Sequence, residues 1–218
     1  MVNIFATSAD MRKGRILYDA LADKYWQQRE EQYKSLQTAM KPFIEVLYRY
    51  DQGAVLDVGC GVGTSSKILS ENDCLTTGID LSRNMVKYAE KFAPKAKIRQ
   101  RNFLERQLDP KYDAISMISF FHLFDLNEIN RVLTQTRQLL PPGGTLFIVT
   151  PFSEISRSER LPKLDYNTTQ TRYRHMWSQA DLESLLNSNI LIVENQYVLS
   201  GVRQKRWLHT IARHTPYQ

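Results

Sequence analysis

Cysteine is scarce in this chain: its 218 residues include two, Cys60 and Cys74. So few thiols give no disulfide framework, and no Cys/His constellation has metal-ligand spacing, so no metal site is expected and reduced thiols in a cytoplasmic setting are. No apolar run approaches the roughly 20 residues of a membrane-spanning helix. The opening Met1-Val2-Asn3-Ile4-Phe5 lacks the charged-then-apolar order of a secretory leader. Internal repeats and low-complexity tracts are missing. So is any Ser-His-Asp or G-x-S-x-G arrangement of the kind a hydrolase would need. Charge of one sign is also in short supply: 29 basic against 23 acidic residues leave a net +6. The excess is scattered, with its densest cluster at Arg203-Gln204-Lys205-Arg206. A nucleic-acid enzyme usually carries a basic stripe with interleaved aromatics. The charge therefore reads as a solvated surface, with nucleic acid a lesser expectation and membrane contact none.

What is present fits one α/β domain. Hydrophobic residues make up 42% and charged residues 24%, ordinary values for a folded globular chain of this length. Residues 1–14 read as an irregular lead. Tyr18, Leu21, Ala22, Tyr25 and Trp26 recur at helical spacing, and a second helix is predicted over 32–50, kinked or restarted at Pro42. Residues 1–50 thus form a helical cap. From 51 to 218 strands and helices alternate, with strands predicted near 53–58, 75–80, 96–101, 112–118 and 144–150, and helices near 64–71, 82–92 and 127–140. Such alternation predicts a doubly wound, mostly parallel, Rossmann-like sheet. Residues 151–176 break the pattern with Arg157, Arg160, Arg172 and Arg174 among prolines and polar residues, as a lid or insertion would. A helix capped by Ser178 and two strands, near 190–199 and 205–213, finish the chain.

One segment carries chemistry. Val55-Leu56-Asp57-Val58-Gly59-Cys60-Gly61-Val62-Gly63-Thr64 is an apolar strand that breaks into a glycine-rich turn. Gly78-Ile79-Asp80-Leu81-Ser82 is a second apolar strand ending on a carboxylate. A dinucleotide fingerprint needs a glycine at position 64, where this chain has Thr. Asp57, two residues before the first glycine, would repel a pyrophosphate and suits a ligand bearing an ammonium group. Asp80 can accept hydrogen bonds from two ribose hydroxyls. Strand ends converge on one crevice in such a sheet, which brings Asn102, Phe103, Ser119 and Phe120 toward the same ligand.

These residues resemble the class I S-adenosylmethionine-dependent methyltransferases. Asp57 to Thr64 match the family's opening motif and Asp80 its ribose acid. The resemblance continues through Leu81-Ser82-x-x-Met85, Tyr112-Asp113-x-Ile115 and Leu139-Leu140-Pro141-Pro142-Gly143-Gly144-Thr145-Leu146. It implies a seven-stranded sheet ending in an antiparallel hairpin, with S-adenosylmethionine bound and S-adenosylhomocysteine released. It further implies a cofactor site of Asp57, Gly59, Cys60, Gly61, Gly63, Thr64, Asp80, Leu81, Met85, Asn102, Phe103 and Ser119. Family members often place an acid where Asn102 stands; the Asn oxygen can still accept from the adenine amino group. Tyr18 and Tyr25 resemble an aromatic pair that covers the cofactor and closes over the acceptor, and aromatic faces suit a sulfonium.

His122, just past the fourth strand, is the candidate base for an acceptor hydroxyl, thiol or amine. Arg172, Arg174 and His175 are candidate substrate contacts, the arginines suiting an anion. His209 and His214 read as peripheral. No Asn-Pro-Pro-Tyr or Asp-Pro-Pro-Tyr run follows the fourth strand, so methylation of a planar amino group on a base or glutamine is not indicated. The expectation is methyl transfer to oxygen or nitrogen of a small molecule by a monomer or homodimer. An RNA methyltransferase and a cofactor-binding protein without methyl transfer are the alternatives.

Overall fold

The computed structural model describes residues 8–104, 112–162, 171–200 and 205–215, with side chains excepted at 8–13, 161–162 and 171–172. Three helices open the chain: α1 (Ser8–Gln27), α2 (Arg29–Ala39) and α3 (Lys41–Arg49). Helix α1 therefore begins inside the segment read as an irregular lead. The break at Met40 comes where Pro42 enters the first turn of α3. A proline is tolerated there because its missing N–H would have no helical partner anyway.

The core is a seven-stranded sheet of order β3-β2-β1-β4-β5-β9-β8. It is built from β1 (Ala54–Val58), β2 (Leu75–Asp80), β3 (Lys97–Gln100), β4 (Ala114–Ile118), β5 (Thr145–Pro151), β8 (Leu191–Ser200) and β9 (Arg206–His214). The first five pair in parallel, and β9 runs antiparallel to both β5 and β8. Both faces are covered, as parallel strands require. Leu56, Ile115 and Met117 pack with residues of α6 (Leu126–Leu139) and α7 (Gln179–Asn187). Val55, Phe147 and Ile211 pack on the other side with α3 and α4 (Thr64–Glu71). Phe43 stacks on Phe147 with ring centroids 4.6 Å apart. Helix α5 (Arg83–Phe92) joins β2 to β3.

The anomalous arginine-bearing stretch contains a separate antiparallel pair, β6 (Arg157–Pro162) with β7 (Thr171–Met176). Strand order reverses between β1 and β4. That switch leaves a crevice beyond the carboxyl ends of the strands, since the connections on either side diverge there. No described helix is long and apolar enough to cross a membrane. Cys60 and Cys74 are both buried, free thiols.

Candidate functional site

A cavity of about 1260 Å³ opens at that switch point. Drug-sized ligands occupy pockets of roughly 300–1,000 Å³, so there is room for two molecules side by side. Its inner wall is the glycine turn. Gly59, Gly61 and Gly63 all have positive φ, at 70°, 54° and 90°. Each glycine has its own reason. A Cβ on Gly59 would come within 2.8 Å of the Phe120 ring, whereas one on Gly61 would meet no atom within 4 Å. Gly61 thus leaves the cavity wall bare backbone. Gly63 does not line the cavity: a Cβ there would sit 2.9 Å from the Ala89 Cα of α5. Its role is to let the turn pack on a neighbouring helix. Gly63→Ala is therefore expected to cost at least about 1 kcal/mol of stability, from the left-handed φ and a clash with backbone. Urea melts should show a lowered midpoint for G63A, with a smaller loss for G61A.

Asp57 is placed differently from the expectation. It is 1% exposed and does not face the cavity. Its Oδ2 accepts hydrogen bonds from Ser65 Oγ and Ser66 Oγ, both at 2.6 Å, and its Oδ1 accepts from Ser116 Oγ at 2.7 Å. A direct contact with a ligand ammonium is replaced by a tie between β1, β4 and the start of α4. Sheet register explains the geometry, because Asp57 lies opposite Ser116 in β4 and Gly78 in β2. A Cβ on Gly78 would stand 2.7 Å from Ser66 Oγ, so the glycine leaves the space through which Ser66 reaches the carboxylate. Burial raises the Asp57 pKa, and its serine hydrogen bonds oppose the shift.

Asp80 does reach the cavity. Its Oδ2 accepts the Gly61 N–H at 3.0 Å and its Oδ1 the Ser82 N–H at 2.8 Å. Each carboxylate oxygen has more than one acceptor site, so capacity remains toward the cavity. Burial raises its pKa to about 6; those two N–H groups work against the rise, while Asp57 and Asp19 add to it. Leu81, Met85, Asn102, Phe103, Ser119, Cys60 and Thr64 line the same space. Asn102 Oδ1 accepts the Leu104 N–H at 3.0 Å, which fixes the amide. Ser119 has φ of 56°, a costly conformation for a residue with a Cβ, where β4 hands over to Phe120.

Helix α1 closes one side. Asp19 Oδ1 accepts from Ser82 Oγ at 2.6 Å and from the Asn84 N–H at 3.2 Å. Tyr88 OH donates to Asp23 at 2.6 Å, and Trp26 stacks on Tyr88 with centroids 4.8 Å apart. So strapped to α5, α1 presents Tyr18 and Tyr25 to the cavity, their rings 6.3 Å apart. His122 is 2% exposed and lines the cavity from a single 3₁₀ turn, Phe121–Leu123. Its ring stands edge-on to Trp207 at 6.4 Å.

The substrate candidates divide. Arg174 lines the cavity, with Glu159 3.7 Å away. The Arg172 side chain lies outside the described residues. His175 does not face the cavity: its Nδ1 is 2.8 Å from Ser158 Oγ and its ring packs on Trp177 at 4.3 Å. Burial, opposed by Asp181, lowers its pKa. His209, read as peripheral, is instead a cavity residue, 3% exposed and stacked on Tyr197 at 4.9 Å. The basic cluster before it splits by strand alternation. Lys205 faces the cavity, Arg206 pairs outside with Glu154 at 2.8 Å, and Arg203 lies outside the described residues. The period-two alternation of Lys205, Trp207 and His209 was the available signal. His214 points away, its Nδ1 2.9 Å from the Leu140 carbonyl oxygen.

A Rossmann-like sheet with its glycine turn and terminal carboxylate on one cavity defines a nucleoside-cofactor class of protein. A methyltransferase-domain model matches residues 25–189, and the chain belongs to that family. It is 30% identical over 119 residues to the ubiquinone biosynthesis O-methyltransferase of Pasteurella multocida, covering 48% of this chain and 47% of that one. It is also 30% identical over 122 residues to the demethylmenaquinone methyltransferase of Tropheryma whipplei, covering 50% of each. The chain spans about half the length of the curated relatives it matches. The fold of the Burkholderia thailandensis 1,6-didemethyltoxoflavin-N1-methyltransferase, solved with its substrate and S-adenosylhomocysteine, superposes with a TM-score of 0.72. That match is at 16% identity over 99% of both chains.

Proposed function

We propose that this protein is an S-adenosylmethionine-dependent methyltransferase acting on oxygen or nitrogen of a small molecule. The observation that carries the reading is the joint placement of Gly61 and Asp80. Bare backbone and a buried carboxylate with acceptor capacity to spare face one cavity. Those residues fit a nucleoside. Asp80 would accept from the ribose hydroxyls, Leu81 and Phe103 would flank the adenine, and Asn102 would accept from its amino group. Asp57 acts at one remove by holding the turn in shape. Tyr18 and Tyr25 would cover the cofactor.

When bound, S-adenosylmethionine supplies a methyl group already made electrophilic by its sulfonium. The chain's remaining work is alignment, exclusion of water and handling of a proton. His122, carried on the 3₁₀ turn Phe121–Leu123 and packed edge-on against Trp207, would take the proton from the acceptor's hydroxyl or amine at a ring nitrogen. The β6–β7 pair, with Arg174 on its inner side, would act as a lid over the acceptor end. The RNA reading has less support, since Lys205 and Arg206 point to opposite sides of β9.

Incubation of the protein with S-adenosylmethionine and a panel of hydroxylated and amino acceptors tests this. Mass spectrometry should find S-adenosylhomocysteine together with a product one methylene heavier. Cofactor binding with no methylated product across the panel would favour a non-catalytic binding role.

A further inference from the structure

The acceptor end of the cavity has an order of its own. Lys205, immediately before β9, alternates with Trp207 and His209 against Arg206 and Leu208, so the first three project to one side. The cavity is lined by those three and by neither Arg206 nor Leu208. Side chains on one face of a strand repeat about every 6.8 Å. Along this face the cavity therefore runs from a cation at the rim, through a flat aromatic, to a buried imidazole. The ends differ in chemistry. Arg160 and Arg174 from the hairpin line the cavity with Lys205, Arg174 with Glu159 3.7 Å away; of the acids facing the cavity, Asp125 and Glu128 form the reciprocal cap of α6, Glu31 lies on α2 and Asp80 at the end of β2. At the inner end the His209 ring lies against Tyr197, which opposes it in β8 and is anchored through its hydroxyl to the Ala39 carbonyl at 2.9 Å. His209 Nδ1 has no hydrogen-bond partner among the described residues. A buried polar atom left in that state costs free energy until a ligand satisfies it or its ring partner.

We propose that the Lys205–Trp207–His209 face selects an acceptor that is flat and elongated, anionic at one end and carrying a hydrogen-bond-donating hydroxyl or amine at the other. The anion sits among Lys205, Arg160 and Arg174 at the rim. The ring system lies against Trp207. The hydroxyl or amine hydrogen-bonds the His209 ring, which brings it to the inner end of the cavity beside His122; a hydroxyl accepts this bond at its oxygen and keeps its single proton for His122, whereas an amine can donate one N–H to each ring. His209 is on this account a specificity-determining residue that touches substrate. The inference names the substrate class of the proposed methyltransferase and rests on that reading for the identity of the inner group as the one methylated.

Three related probes separate the contributions: 6-hydroxy-2-naphthoate has both ends, 2-naphthol lacks the anion and 2-naphthoate lacks the hydroxyl. Calorimetric titration of the wild-type protein saturated with S-adenosylhomocysteine should give at least tenfold tighter binding for the first than for either of the others. Lys205→Gln should narrow the gap between 6-hydroxy-2-naphthoate and 2-naphthol by threefold or more. His209→Phe, which keeps a ring against Tyr197, should erase the preference over 2-naphthoate. Both variants should bind S-adenosylhomocysteine as the wild type does. Equal affinity for the three probes, or no binding of any by protein that binds S-adenosylhomocysteine, would overturn the inference and leave the cofactor reading standing. Discriminating binding of the probes by protein that does not take S-adenosylhomocysteine would overturn the cofactor reading instead.

Discussion

Asp80→Ala is expected to weaken S-adenosylhomocysteine binding at least a hundredfold while leaving a folded protein. Two charge-assisted hydrogen bonds to ribose are each worth about 1.5–3 kcal/mol, and every 1.4 kcal/mol is tenfold in affinity. The substitution also strips the Gly61 and Ser82 N–H groups of their acceptor, which loosens the turn the cofactor must meet. The wild-type protein should reveal the same carboxylate through pH. With a folded-state pKa of about 6, Asp80 is ionised above that value and can accept from both hydroxyls. Below it the proton occupies an acceptor site. Affinity should therefore be flat above pH 7 and fall as pH drops through 6. Asp80→Asn should be weak throughout and lack that fall.

The same shift has an opposite consequence for the empty protein. A carboxyl whose pKa rises from 3.8 to about 6 on folding stabilises the fold fully below 3.8, and that stability is lost as pH rises to 6. At neutral pH the unliganded protein holds a charge that burial disfavours, and on the proposed reading a bound ribose would relieve it. Asp80→Asn removes that charge but turns its amide NH2 toward one of the Gly61 and Ser82 N–H groups, so the two effects oppose and the empty variant should melt close to wild type at pH 7.5, yet gain no thermal stability from S-adenosylhomocysteine. Calorimetric titration and thermal melts across pH 5–8 test both statements. A wild-type affinity unchanged between pH 5 and 7 would remove Asp80 from the ribose contact.

What could be read from the chain alone follows a physical boundary. The strand of residues 54–58 and its glycine turn are local features: an apolar run, then residues that must adopt positive φ. That Asp80 reaches the cavity was equally legible, because a strand end is a place as well as a pattern. Asp57 was misplaced because its partners are non-local. Ser116 lies opposite it only through the β1–β4 register, and Ser66 reaches it only through the gap at Gly78. His209 was overlooked for a related reason. Its burial depends on β9 pairing with β5 on one side and β8 on the other, and nothing within the strand itself says which edge covers it. The early start of α1 is a third case. That helix is held through Asp19 and Asp23 on residues more than sixty positions away, a tertiary tether that weak local helix propensity does not announce.

Asp57→Ala should be the most damaging single change to the fold around the site. It leaves the hydroxyls of Ser65, Ser66 and Ser116 without their common acceptor in a dry interior. An unsatisfied buried polar group costs about 1–3 kcal/mol. The burial penalty on the carboxylate itself disappears with it, so a net loss of about 2–4 kcal/mol is expected. Asp57→Asn separates the two effects. Its amide oxygen still accepts from the α4 serines, its amide nitrogen can donate to Ser116 Oγ, and it carries no charge to bury. D57N should therefore melt close to wild type at neutral pH. The sign with pH follows from the raised pKa. Wild-type stability attributable to Asp57 is present below pH 3.8 and falls as pH rises through the folded value, whereas D57N lacks that fall. Urea melts of the three proteins at pH 4.5 and 7.5 supply the comparison. Equal destabilisation by Ala and Asn at both pH values would mean that the negative charge, rather than the hydrogen-bonding geometry, holds the turn. In that case S-adenosylhomocysteine affinity should be lost in D57N as well, whereas the geometry described above predicts that D57N retains most of it.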